Sequence, residues 1–394
     1  MVGDMITGRG SGTEASLRKT LVEAIKMVSS ADRRKLAAVS LIMFLINLLD
    51  LIAVALAGAV GALAINGIQN KTSGNRVTIL LEKLNLLEVD LRTQILFISG
   101  IACALLIVKS VTSFFFTRKI FVFMSRNASR VSKQLLEKIM LQDLLFLQKR
   151  SIQENLYATT SGVTNLILGL LGSATTIVTD ISLFVVMFLG MLIVDPWSAL
   201  LFLILFLLLG FILQLVMGNK ATNMGRIYGR LNVAGNQKTS DLLTTFREVK
   251  LRNNSQFFID AIDKNRENLV QSLATMRSLP LVSKYVFEIA VLVLVVIVTL
   301  FQFSFNEPSR AVGNLVFFIA ASARITPAVL RVQQNLLSMK NAIGASQKTR
   351  GLISDMNNLK RAKESTRVRV GNLTPEMRTK VILKEVYFRY DNQK

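Results

Sequence analysis

The residues with the most chemical potential in this sequence are charged side chains that interrupt long apolar runs. Asp50, Lys109, Asp180, Glu288 and Arg324 each lie within or at the edge of such a run. A charge at the depth of a lipid bilayer costs several kcal/mol, so these groups are expected to face protein or a water-filled cavity. In that position they are able to bind an oppositely charged group such as the phosphate of a lipid headgroup.

Two interpretations of these charges stay open. In the first, the charged side chains line a polar translocation pathway. In the second, they form ion pairs between helices, for example Arg324 with Asp180, and only fix the packing. Lys109 is also able to extend its amine towards the cytoplasmic interface. Among the basic residues, Arg324 and Arg331 are the ones we expect to contact an anionic cargo. The candidate pathway residues are Asp50, Asp180, Glu288, Arg324 and Arg331.

Other chemistry-bearing residue types are absent or isolated. The chain contains no histidine, which excludes histidine triads, histidine metal sites and the usual proton shuttles. Cys103 is the only cysteine, so neither an intramolecular disulfide nor a cysteine zinc cluster is possible within the chain. We therefore predict no catalytic residue and no metal site.

The elements that must position these charges are apolar runs long enough to cross a membrane. The chain has 394 residues, of which 51% are hydrophobic, and a mean hydropathy of +0.46. A helix needs about 20 apolar residues to cross a hydrocarbon core of about 30 Å. We predict an all-α membrane protein with six transmembrane helices, at about 37–65, 94–116, 174–194, 198–217, 281–303 and 311–330.

Between alternate spans the chain makes two long excursions that contain few helix breakers. Residues 101–161 contain neither glycine nor proline, and residues 218–279 contain no proline. We predict a continuous helix over about 92–145, roughly 80 Å long at 1.5 Å per residue. Such extensions suit the transmission of force from a soluble motor, although an ordinary juxtamembrane bundle has the same pattern.

Charge predicts the orientation. Residues 117–160 hold eight Lys and Arg against three acids, residues 218–280 hold ten against five, and residues 1–36 hold seven against four. Basic residues gather on the cytoplasmic side, so both excursions and both termini are expected to be cytoplasmic, in the plasma (inner) membrane.

The net charge of +22 also invites a nucleic-acid interpretation, but no aromatic-rich basic patch accompanies it. Membrane lipid is therefore the expected partner, and nucleic acid is not.

The end of the chain has a different character. Residues 360–378 are charged and turn-prone, and residues 380–390, KVILKEVYFRY, have the β-branched and aromatic residues of a strand. A single strand is not stable alone, so we expect the chain to stop inside a domain. The predicted organisation is a cytoplasmic segment (1–36), a membrane domain (37–355), a linker (356–379) and the first β-strand of a missing domain (380–394).

Together these features resemble the ATP-binding cassette (ABC) exporter family in its half-transporter form, in which a nucleotide-binding domain follows six membrane helices. Residues 381–390 are similar to the family's first nucleotide-domain strand, with Tyr390 at the position of an aromatic that stacks on adenine. The chain lacks a G-x-x-x-x-G-K-[ST] loop, the ABC signature and Walker B carboxylates. The resemblance therefore implies ATP and Mg²⁺ in the full-length form but no tight binding to this chain, and enzyme activity stays open.

Within that family the chain looks closest to the lipid-linked oligosaccharide flippases, through residues 29–50, 246–258 and 323–331. The resemblance implies a homodimer, with a nucleotide-binding domain in cis or in trans, that moves a lipid-linked or amphipathic cargo by alternating access. A non-ATPase membrane protein such as a secondary transporter is the alternative.

The resemblance also implies coupling helices near 148–157 and 239–249 that seat in the nucleotide-binding domains. Simple solvent-exposed turns are the alternative for both segments. The candidate coupling residues are Ser151, Gln153, Glu154, Leu242 and Phe246.

The intact mass of the protein from its native membrane tests the expected missing domain. We expect a mass larger than 43.7 kDa by one domain, on the order of 200 residues. A native mass that equals 43.7 kDa would contradict this expectation.

Overall fold

The computed structural model describes most of the predicted membrane domain. It covers residues 20–22, 24–25, 29–69, 90–194, 196–305 and 308–363. Contacts divide the chain into a large unit, Met1–Ile353, and a short one, Ser354–Lys394. Residues 1–19, most of the linker, the predicted strand and Tyr390 lie outside the described residues.

Within the described residues the fold is helical and contains no strand. Several helices are far longer than a membrane is thick, and short helices connect them at the tips. The helices are α1 (Ser30–Gln69), α2 (Leu91–Met140), α3 (Leu144–Gln148), α4 (Ile152–Thr159), α5 (Ser161–Thr164), α6 (Ser173–Val194), α7 (Pro196–Thr244), α8 (Phe246–Leu251), α9 (Ser255–Phe305), α10 (Pro308–Ala345) and α11 (Gln347–Lys363), with a π-helical segment, Asn165–Gly172, between α5 and α6.

Five segments of the described residues are long and apolar enough to cross a membrane. They lie in α1, in α2, in the run from α4 to α6, in α7 and in α9. The sixth predicted span, 311–330, falls within α10, several of whose side chains are not described, and it stays a prediction. Five of the six predicted spans thus coincide with helices of suitable length and composition.

The faces of α7 show how these helices meet lipid. Leu207, Phe211 and Leu215, spaced four residues apart, form one exposed stripe. The opposite side buries Phe202 and Phe206 in the core. An exposed apolar stripe of this length is expected of a helix whose outer face contacts acyl chains.

The core of the large unit is built on stacked phenylalanines. The rings of Phe202 and Phe206 lie 4.1 Å apart, and Phe206 lies 5.3 Å from Phe287 of α9. Phe318 of α10 meets Phe202 edge-on at 6.1 Å. Aromatic pairs at these separations attract one another beyond their area of contact, so α7, α9 and α10 are held as one group.

The long extensions confirm the prediction made from the missing helix breakers. Helix α2 has 50 residues, α7 has 49 and α9 has 51. Each is therefore about 75 Å long, well over the thickness of a bilayer. Helix α2 ends at Met140, slightly earlier than predicted, where α3 begins a turn towards α4.

Beyond the apolar part, α7 and α10 touch backbone to backbone. A methyl group added at Gly344 would meet the carbonyl oxygen of Thr222 and backbone atoms of Gly225 and Arg226. Gly229 of α7 faces Ala345 in the same way. Glycine at these positions is what lets the two helix axes approach closely.

Replacing Gly344 with alanine is expected to separate α7 from α10, because backbone atoms cannot rotate out of the way. We expect the free energy of unfolding to fall by about 1–3 kcal/mol, measured by thermal or denaturant unfolding in detergent. The control is Gly210→Ala, where an added methyl group meets nothing within 4 Å. Equal stability of the two variants would contradict the close approach.

Candidate functional site

An ion pair with a buried carboxylate joins α6 to α10. Arg331 donates from Nε and Nη2 to the same carboxylate oxygen of Asp180, Oδ1, at 3.0 and 2.7 Å. The Asp180 side chain is 6% exposed, whereas that of Arg331 is 48% exposed. The second oxygen, Oδ2, is buried and accepts no hydrogen bond. The pair is thus anchored at the carboxylate and open at the guanidinium.

A second ion pair joins α1 to α2. Lys109 Nζ contacts Oδ2 of Asp50, whose side chain is fully buried, while the lysine side chain is 17% exposed. Neither oxygen of Asp50 accepts an aligned hydrogen bond, so Lys109 alone compensates the buried negative charge. Removing the lysine would therefore leave an isolated carboxylate among apolar helices.

The two ion pairs belong to one network, because hydrogen bonds link α1 to α6. Asn47 of α1 donates to Ser182 Oγ at 2.8 Å and to the carbonyl oxygen of Thr179 at 3.2 Å, both on α6. Helices α1, α2, α6 and α10 thus converge on two carboxylates and two cations, whose charges cancel.

The exposed guanidinium of Arg331 is the part of this network that is able to bind a ligand. A guanidinium has five N–H donors in a planar fork. Only two nitrogen atoms of Arg331 engage Asp180, so further donors face the open side. This geometry suits a carboxylate or phosphate, and the neutral network behind it offsets the cost of holding the arginine at this depth.

The structure brings together three of the five predicted pathway residues. Asp50, Asp180 and Arg331 belong to the network, but Asp180 pairs with Arg331 rather than with Arg324. Arg324 and Arg331 are seven residues apart, which is about two helical turns, so they lie on the same face of α10 and differ only in their position along the helix axis. Arg324 is partly exposed and makes no ion pair with the carboxylates that the structure describes.

Glu288 lies apart from this group. Its carboxylate is 51% exposed and contacts Lys284, one turn earlier on α9, at 3.6 Å. Asn47 was not among the predicted residues, although an asparagine inside the apolar run of α1 was a usable signal. Lys109 was predicted without Asp50 as its partner, because a contact between two helices leaves no mark in local periodicity.

The first predicted coupling segment is a short capped helix. Ser151 caps α4 by accepting a hydrogen bond from the backbone N–H of Glu154 at 3.1 Å. Glu154 contacts Arg150 at 3.6 Å and Lys348 at 3.1 Å, and Gln153 is partly exposed beside it. Ser151 and Glu154 therefore shape the tip.

The second predicted coupling segment, near 239–249, covers the end of α7 and the beginning of the short helix α8. Helix α7 continues through Leu242 to Thr244, and the separate short helix is α8, which begins at Phe246. Phe246 and Leu251 are exposed, the latter by 81%. Large apolar side chains so far beyond the membrane-spanning part of α7 indicate a surface that contacts protein.

Comparison with known protein families gives one finding that bears on this arrangement. Residues 39–328 match the ABC transporter transmembrane region. The matched region contains the network residues Asp50, Lys109 and Asp180, both tips and most of α10. No curated protein matches the chain.

The contribution of the Asp180–Arg331 pair is open to measurement by substitution. Arg331→Met leaves Asp180 buried without its main partner, and we expect the free energy of unfolding to fall by about 1–3 kcal/mol. Arg324→Met is the matched control and is expected to cost less, because Arg324 holds no described carboxylate. The double variant D180N/R331M should cost less than the sum of its single variants in a double-mutant cycle. An additive cycle would contradict the pairing.

Proposed function

Because the chain belongs to the family of ABC transporter transmembrane regions, we propose that it forms the membrane pathway of an ATP-driven exporter or flippase. The cargo is amphipathic or lipid-linked and carries an anionic group. The observation that carries this proposal is the half-exposed guanidinium of Arg331, held at the depth of the apolar helices by a buried carboxylate.

An anionic cargo fits the electrostatics of the network. The two carboxylates and two cations cancel, so the site rests without a counter-ion. A phosphate that approaches Arg331 meets unused N–H donors, while both carboxylates are buried behind the cations. Charge-assisted hydrogen bonds to an arginine fork are strong and directional, and they are able to select a headgroup while the apolar tail stays in lipid.

The long extensions supply the mechanical link. The tips at α4 and α8 expose apolar side chains that suit docking on a nucleotide-binding domain, supplied in cis or in trans. The chain has no G-x-x-x-x-G-K-[ST] loop, so we assign ATP and Mg²⁺ to that domain, where they supply the free energy for closure. Movement of the tips would pass along rigid helices to the level of Arg331. A homodimer would enclose one pathway between two such units.

The flippase branch is the finer part of this proposal. Residues 29–50, 246–258 and 323–331 resemble lipid-linked oligosaccharide flippases, and the first and last of these contain Asp50 and Arg331. Both residues belong to the charged network, which supports a common role for them. The excess of Lys and Arg in the extensions supports tips and termini on the cytoplasmic side of the plasma (inner) membrane.

Transport of a fluorescent anionic phospholipid tests this function. The transporter, purified from its native membrane with its ATPase and reconstituted in liposomes, is expected to translocate the lipid only with ATP and Mg²⁺, as monitored by dithionite quenching. D180N/R331M keeps the network neutral but removes the guanidinium. We expect it to lower the rate about tenfold, the equivalent of one charged hydrogen bond.

The matched control is the exposed pair on α9, replaced as K284M/E288Q, which should transport within about twofold of wild type because an exposed ion pair contributes little. Transport that persists without ATP would favour a secondary transporter. A wild-type rate for D180N/R331M would mean that the pair serves packing alone.

A further inference from the structure

A basic cavity lies outside the membrane-spanning part of the large unit, where α4, α7 and the junction of α10 with α11 meet. Its volume is about 440 Å³. Four cationic side chains and one carboxylate line it, together with small residues. The charged lining residues are Arg150, Glu154, Arg226, Arg230 and Lys348.

The only carboxylate in the lining already forms ion pairs with two of the lining cations. Glu154 contacts Arg150 at 3.6 Å and Lys348 at 3.1 Å. Arg226 and Arg230 lie one turn apart on α7, and neither makes an ion pair with the carboxylates of the described residues. Like charges at this spacing repel each other, so a bound anion would relieve the repulsion as well as bind.

The small residues add a second feature of a binding site. Gly351 forms part of the lining, and a methyl group added there would meet only Arg150 Nη2, at 3.8 Å, so a ligand is able to approach helix backbone at that point. Tyr157 of α4 donates a hydrogen bond to the carbonyl oxygen of the lining residue Ala345 at 3.0 Å and so connects α4 to α10. The cavity is thus bounded by elements that hydrogen bonds and close backbone contact hold in place.

The position of the cavity decides which source of anion fits. The predicted apolar run of α7 ends at Met217, and Arg226 and Arg230 lie about 14 and 20 Å further along the helix at 1.5 Å per residue. Headgroups extend only about 5–8 Å beyond the hydrocarbon core. The site is therefore beyond the reach of a lipid headgroup and open to a soluble ligand.

We propose that this cavity binds a soluble anion that carries two or more phosphate groups. Arg226 and Arg230 hold one phosphate through charge-assisted hydrogen bonds, and Lys348 holds the next. Because Lys348 also contacts Glu154, the ligand joins α7 and α11 to the tip at α4. Occupancy would stiffen the connection between the first tip and the extension of α7, and so regulate the tip.

Binding of inorganic tripolyphosphate to the full 394-residue chain, in nanodiscs of neutral phosphatidylcholine, tests this site by isothermal titration calorimetry. R226Q/R230Q should weaken binding by about tenfold or more, because two charged hydrogen-bond donors are lost. The control K264Q/R266Q removes two charges from an exposed part of α9 and should stay within about twofold. Glu154→Gln removes the one negative charge of the lining and should tighten binding by about threefold.

A damaged fold cannot raise the affinity for tripolyphosphate. The Glu154→Gln variant therefore still tests the site if R226Q/R230Q is poorly stable. Equal weakening by K264Q/R266Q would mean general attraction to a basic protein and would overturn the site. Competition by phosphatidylglycerol in the nanodisc would identify a lipid headgroup as the ligand instead. Absence of binding at millimolar tripolyphosphate would also overturn the proposal.

Discussion

The arrangement depends on one constraint, which is that a charge at the depth of a bilayer must find its partner within the protein. Asp50 and Asp180 are buried among apolar helices, where water cannot solvate them. Lys109 neutralises Asp50, and Arg331 neutralises Asp180. Because each ion pair joins two different helices, it also fixes which helices are neighbours. The constraint that makes these residues costly is therefore also what ties α1 to α2 and α6 to α10.

The two cations differ in how far they are exposed. Lys109 is mostly enclosed, and its single ammonium group contacts Asp50. Arg331 uses one edge of a planar fork for Asp180 and leaves the rest exposed. A point charge suits the closed position, and a multivalent donor suits the open one. An Arg331→Lys substitution would keep the charge of the open position but not its geometry.

Much of the fold could be predicted from local signals. The absence of glycine and proline over 101–161 predicted a long helix, and the apolar runs predicted five segments that the structure describes as helices. Contacts between helices could not be predicted so well. Periodicity places Arg324 and Arg331 on one face of α10, but only the relative level of α6 and α10 selects Arg331 for Asp180.

The cavity was missed for the same reason, since α7, α4 and α11 supply its charges from separate parts of the chain. Arg226 and Arg230, each directly after a glycine of the close-packed face, were the available signal.

The contact of Gly225 with Gly344 divides α7 into two arms of unequal length. About 28 Å of helix lies between Gly225 and Thr244, and about 44 Å lies between Gly225 and Pro196, at 1.5 Å per residue. If α7 turned as a rigid rod about this contact, its Pro196 end would move about one and a half times as far as its Thr244 end, and in the opposite direction. The position of two glycines thus sets the ratio of movement between the two ends of the helix.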